Sequence, residues 1–152
     1  MFDHPIPRAP LWLGLAGLLP FAWSLATLWS PALALWTAGW IGPRFIGPYV
    51  GLFYGAVILS FMSGVLWGFA ARAAAAAAAP LYAMSVLPAL WAFFTTGGGD
   101  VSAARALIAG FLVLLVLDWT FWRHGLAPPW WMALRLILTA GVVLCLLPVA
   151  VA

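Results

Sequence analysis

Tyr54-Gly55-Ala56-Val57-Ile58-Leu59-Ser60-Phe61-Met62-Ser63-Gly64-Val65-Leu66-Trp67-Gly68 decides the fold. This stretch carries no charge and lies within a longer uncharged run, Ile46 to Phe69. A helix needs about 20 apolar residues to cross a bilayer, so the run is long enough to span one. Ala56, Ser60, Gly64 and Gly68 recur every four residues and fall on one stripe of that helix. Gly51 and Gly55 form a second small pair at the same spacing. Helices in lipid associate chiefly where small residues let backbones approach, so these six positions are the candidate packing residues. An intramolecular seam and homodimerisation through the stripe are both compatible with the pattern.

The rest of the chain repeats the character of this stretch. Its 152 residues are 67% hydrophobic and 6% charged, against roughly a quarter charged in soluble domains. Spans can be placed at Pro10 to Trp29, Ile46 to Phe69, Ala73 to Phe94, Ser102 to Trp122 and Trp130 to Val151. The expected fold is therefore an all-α integral membrane protein, a single domain built as a bundle of five transmembrane helices. The segment from Ser30 to Phe45 is broken by Pro31, Gly42 and Pro43, with Trp36 and Trp40 at helical spacing. It is expected to lie at the interface between helices 1 and 2. The first span is read as uncleaved, because its apolar run is longer than the 7 to 15 residues of a typical signal-peptide core. So little chain remains outside the spans that a nucleotide-binding fold or a separate catalytic head is excluded.

Tryptophan, with 11 residues in the chain, tests the span ends, since indole rings favour the headgroup region. Trp12, Trp29, Trp67, Trp91, Trp119, Trp122, Trp130 and Trp131 all fall near ends, and only Trp23 lies clearly inside a span. Orientation follows from the arginines. Arg8, Arg72, Arg123 and Arg135 outnumber Arg44 and Arg105, which predicts N-in and C-out. The cations are scattered singly, which excludes a nucleic-acid face. Richness in Ala, Gly, Pro and Arg with no Lys suggests a GC-rich bacterial genome, and hence a multi-pass protein of the inner (cytoplasmic) membrane. Further local expectations are an N-cap at Asp100 or Ser102 for the fourth span and bends at Pro80 and Pro88 in the third.

Residues able to do chemistry are few. Asp118 precedes the turn at Pro128-Pro129 and Arg135 follows it. In an antiparallel hairpin both would lie about 8 Å below the loop, at 1.5 Å rise per residue. Ionisable groups at that depth are expensive unless paired, so Asp118 and Arg135, with Arg123 and His124 nearby, are the candidate buried ion pair or pocket. A structural clamp and a polar pocket for a headgroup or partner are the two readings. His4 and His124 lack further ligands, so no metal site or cofactor is expected. Ser60 and Ser63 have no base at plausible depth, and Cys145 stands alone, so no catalytic residue is assigned and no enzyme activity is expected.

The Tyr-Gly-Ala-Val-Ile-Leu-Ser-Phe segment at Tyr54 to Phe61 and Trp130-Trp131-Met132-Ala133-Leu134-Arg135-Leu136-Ile137-Leu138-Thr139 carry a resemblance. With Leu19-Pro20-Phe21, an Asp ending the fourth span and an Arg opening the fifth, the chain resembles a bacterial membrane family of unknown function that includes mitochondrial transmembrane protein 69. The resemblance implies a five-span inner-membrane protein and marks Ser60, Gly64, Trp67, Asp118 and Arg135 as positions to test. It brings no activity with it. The expected role is a non-enzymatic scaffold, assembly factor or accessory subunit whose partners are the lipid bilayer and a larger membrane complex or a second copy of itself. The alternative is a binder or carrier of a small apolar or amphipathic molecule such as a quinone, lipid or porphyrin.

Overall fold

The structure, a computed structural model, describes residues 4–152. Among these residues all regular structure is helical: α1 (Arg8–Ala16), α2 (Leu19–Trp29), α3 (Pro31–Trp40), a 3-10 turn (Pro43–Phe45), α4 (Gly47–Ala70), α5 (Ala75–Thr95), α6 (Asp100–Arg123) and α7 (Trp131–Ala150). Five segments are long and apolar enough to cross a membrane: Arg8–Trp29, comprising α1 and α2, and the helices α4, α5, α6 and α7. At 10 residues α3 is about 15 Å long, half the hydrocarbon thickness.

The first span differs from the expected continuous helix. It is broken between Ala16 and Leu19. Gly17 N–H still donates to Leu13 O (3.0 Å), but Leu18 N–H takes the shorter step back to Leu15 O (3.0 Å). Pro20 has no N–H, so the carbonyl four residues earlier, at Ala16, loses its usual donor. Irregular backbone at membrane depth persists only where protein or a cavity covers it.

Helix α4 packs chiefly on α5 and α2 and also touches α6, while α6 pairs with α7. The core is Leu and Phe: Leu59 and Leu66 of α4, Leu107, Phe111, Leu114 and Phe121 of α6, and Phe21 of α2 are all almost completely buried. Gly51 and Gly55 lie in this packing. A Cβ at Gly51 would come 2.6 Å from Ser24 Oγ, and one at Gly55 would come 3.0 Å from Leu107 Cδ1. The longer stripe does not join them. Ser60, Gly64 and Gly68 are exposed, Ala56 is half-buried, and a Cβ at Gly64 or Gly68 would meet nothing within 4 Å. The two small-residue sets lie on different faces of one helix, because Gly51 and Gly55 are offset by one residue from the Ala56 register.

A further local expectation is corrected. Neither Asp100 nor Ser102 caps α6. Gly99 holds the N-cap position at φ +94°, and the Ser102 hydroxyl donates to Gly99 O at 3.0 Å. A backbone turned into positive φ favours glycine, which is why the last of Gly97-Gly98-Gly99 stands there. In α5, Pro88 removes one donor from the ladder, and the next N–H, that of Ala89, donates to Ser63 Oγ of α4 at 2.9 Å. Ser63 is thereby a helix-to-helix tie.

The ends of the bundle are fastened by arginines. Arg72 Nη1 donates to Leu126 O (2.9 Å), joining the α4–α5 and α6–α7 turns at one end. At the other end Arg105 Nε donates to Ala150 O (2.8 Å), joining the start of α6 to the end of α7.

Candidate functional site

Antiparallel pairing of α6 and α7 brings Asp118 against Arg135, with Arg135 Nε donating to Asp118 Oδ2 at 2.7 Å. Asp118 is 0% exposed and Arg135 4%. The second carboxylate oxygen, Oδ1, accepts from Trp131 Nε1 at 2.8 Å. Trp131 is held in turn against the ring of Phe69 of α4, edge to face at 5.1 Å. The carboxylate is thus fully engaged, one strong donor to each oxygen.

The guanidinium is not. Arg135 Nη2 is buried with no hydrogen-bond partner, and so is Thr139 Oγ1, one turn further along α7. Every other Ser and Thr hydroxyl among the described residues is engaged. Most bond back to the preceding turn, as Thr27, Thr37, Ser60, Ser85, Thr95, Thr96 and Thr120 do, while Ser24, Ser30, Ser63 and Ser102 bond elsewhere. A buried polar group without a partner costs about 1–3 kcal/mol. Two of them within one turn need an explanation.

Both residues line a cavity of about 310 Å³ between α1, α2, α4, α6 and α7. At roughly 30 Å³ per water that is about ten water volumes, the lower end of the range for small-molecule sites. Its remaining walls are largely apolar, with Phe21, Ile58, Met62, Phe111 and Val142 among them, and Tyr54 is the one further polar side chain. Phe21 is fixed edge to face against Tyr54 at 5.3 Å and Phe111 at 6.3 Å. Gly14, Gly17 and Leu18 also line it, so the break in the first span faces this cavity. Leu13 and Phe61 belong to the lining yet are exposed on the outer surface, so the cavity opens sideways between α1 and α4.

Arg123, grouped with the pair from sequence, stands apart. It is exposed, with its guanidinium over the Trp119 ring at 5.1 Å. His124 Nδ1 lies 2.8 Å from Thr120 O. No group of three or more His, Cys, Asp or Glu among the described residues is placed to hold a metal.

Sequence reasoning missed Trp131, Thr139 and Gly17. The signal for the first two was present: Trp131, Arg135 and Thr139 are spaced by four and so share one stripe of α7. The signal for the third was Gly17 followed by Pro20 in mid-span.

Comparison with known proteins finds a family and a relative named as a transmembrane protein. Residues 6–151 match the family described as Protein of unknown function (DUF3429). The chain is similar to Transmembrane protein 69 of Xenopus tropicalis, at 35% identity over 144 residues, which cover 92% of this chain and 53% of the relative. The chain therefore spans about half the length of the curated relative it matches. No solved structure matches. With the family matched from the start of the first span to the end of the fifth, the chain belongs to the DUF3429 family of proteins of unknown function.

Proposed function

We propose that the protein is a non-enzymatic membrane binder of a small neutral amphipath, held in the cavity beside Arg135 and Thr139. The observation that carries this reading is that Arg135 and Thr139, each with a buried polar atom that has no partner, line a largely apolar cavity. Asp118 already offsets the charge of Arg135, so the site offers hydrogen bonds without net charge. A ligand oxygen that accepts from Nη2 and from the Thr139 hydroxyl, such as a quinone or ester carbonyl, relieves both orphans at once. The lateral opening between α1 and α4 gives its tail a path to lipid.

The test is titration of a short-tailed benzoquinone into the detergent-purified protein, followed through quenching of tryptophan fluorescence. Saturable quenching is expected. Thr139→Val keeps the shape, removes one hydrogen bond and should weaken binding about tenfold, the equivalent of roughly 1.4 kcal/mol. Val142→Phe should abolish binding by filling the cavity. Wild-type quenching without saturation, or both variants titrating like wild type, would sink the proposal.

A second reading, an accessory subunit or scaffold within a larger membrane complex or a homodimer, is favoured by a different observation. The Ala56, Ser60, Gly64 and Gly68 stripe faces outward with nothing against Gly64 or Gly68. Small residues on an outer face admit a second helix at close range. Gly64→Leu is expected to leave the thermal unfolding of the protein unchanged and to shift its migration on native gels from solubilised membranes toward lower mass. Unchanged migration would remove this reading.

The orientation we propose is N-in and C-out in a bacterial inner membrane, supported by the four arginines on the Arg8 side of the chain against two on the other. A C-terminal alkaline phosphatase fusion should be active and a C-terminal green fluorescent protein fusion dark. The reverse result inverts the topology.

A further inference from the structure

At the opposite end of the bundle, α2, the 3-10 turn and the start of α4 enclose an open apolar groove of about 820 Å³. Its lining combines small residues, Ala22 and Ala26, with large ones, Phe45, Tyr49 and Phe53 among them. Arg44, in the 3-10 turn, is the only charged residue in the lining. It is exposed, and among the described residues it has no carboxylate partner; its guanidinium lies over the Phe45 ring at 5.3 Å.

The groove is preformed. Trp23 Nε1 donates to Phe45 O at 3.0 Å, Ser24 Oγ donates to Gly47 O at 2.8 Å, and Gly47 N–H donates to Thr27 Oγ1 at 3.0 Å. These three bonds hold the turn and the start of α4 over α2 without occupying the groove. Its depth is also defined. The groove reaches down to Leu19, and from there to Trp29 at the end of α2 is ten residues, about 15 Å of helix, or one leaflet of a 30 Å hydrocarbon core. Trp29, Trp36 and Trp40 stand exposed at the same end, where the aromatic belt belongs.

We propose that this groove seats one acyl chain of an anionic glycerophospholipid from the leaflet on the Arg44 side, with its phosphate on Arg44. Depth selects a lipid chain from one leaflet. Arg44, which has no carboxylate partner among the described residues, selects an anionic head over a zwitterionic one, whose own ammonium competes for the phosphate. The groove borders the cavity beside Arg135 at Tyr54, which lines both, but Arg44 and Ala26 belong to the groove alone, so their substitution tests it independently.

The experiment is native mass spectrometry of the full chain in detergent, with dioleoyl phosphatidylglycerol or dioleoyl phosphatidylcholine titrated in. Phosphatidylglycerol should bind about fivefold more tightly, the equivalent of about 1 kcal/mol for one basic side chain at the surface. Arg44→Gln should erase that preference and leave phosphatidylcholine binding unchanged. Ala26→Trp, at an exposed position, should block both lipids by filling the groove. Equal affinity for the two lipids in wild type, undiminished binding to Ala26→Trp, or oleate binding as tightly as phosphatidylglycerol would each overturn the proposal. Val142→Phe should leave this binding unaffected.

Discussion

Asp118→Asn is expected to destabilise the protein by about 3–5 kcal/mol, the cost of leaving the partner of a buried ion pair without its counter-charge. The substitution keeps the size of the side chain but leaves the Arg135 guanidinium, 4% exposed, facing a neutral amide. Arg135→Met should cost a similar amount, since it strands the carboxylate that otherwise receives Nε at 2.7 Å. The double variant Asp118→Leu with Arg135→Met should recover most of the loss, because replacing both charges by apolar groups is often neutral or stabilising. Thermal unfolding in detergent, arranged as a double-mutant cycle, measures the coupling directly. If Asp118→Asn unfolds like wild type, the pair is solvated and the buried geometry is wrong. The double variant also separates the two roles of the pair: with stability restored and the guanidinium gone, quinone binding should still be lost if Arg135 serves the cavity.

Gly110→Leu is expected to be the most damaging single substitution of a glycine. A Cβ there would come 2.7 Å from Leu59 Cδ2 and 2.8 Å from Trp91 Cδ1, where α4, α5 and α6 meet. Trp91 cannot easily give way, since its Nε1 donates to Ala106 O at 2.7 Å one turn before Gly110. Even Gly110→Ala should cost about 1–3 kcal/mol by overpacking, and Leu should exceed that and suppress accumulation of folded protein. Gly64→Leu is the control, with open space around its Cβ. Equal stability of the Gly110 and Gly64 variants would falsify the placement of α4 between its neighbours.

The ion pair was legible before the structure because depth follows from simple counting. A helical hairpin with one acid before its turn and one arginine after it brings the two to equal depth, and burial then demands that they meet. The indole of Trp131 on the same carboxylate needed one more step, the recognition that it stands one turn before Arg135. That Thr139 makes no bond to the preceding turn was not legible at all. A threonine in a helix ordinarily bonds back, and whether it does so is decided by what lies beside it.

The tryptophans show a similar division. Their clustering near span ends follows the interfacial rule, yet Trp23, Trp91, Trp122 and Trp131 also donate to Phe45 O, Ala106 O, Pro129 O and Asp118. Four rings that sequence reads as anchors in lipid, or as a stray within a span, are ties between segments of the protein. Composition gives the preference for the interface, but the hydrogen-bond partner is a matter of which chain segment folds alongside.

By itself the sequence determined that five segments can cross a membrane and which acid and arginine meet between helices, because each depends only on local length, composition and position along the chain. Only the tertiary structure decided which face of α4 is inside. Leu52, Leu59 and Leu66 are buried while Phe53, Val57 and Phe61 are exposed, with no difference in polarity to separate them. In water the outward face of a helix is polar and periodicity reveals it. In lipid the outside is as apolar as the core, so the choice between the Gly51–Gly55 face and the Gly64–Gly68 face is made by close packing of backbones, which no hydrophobic pattern records.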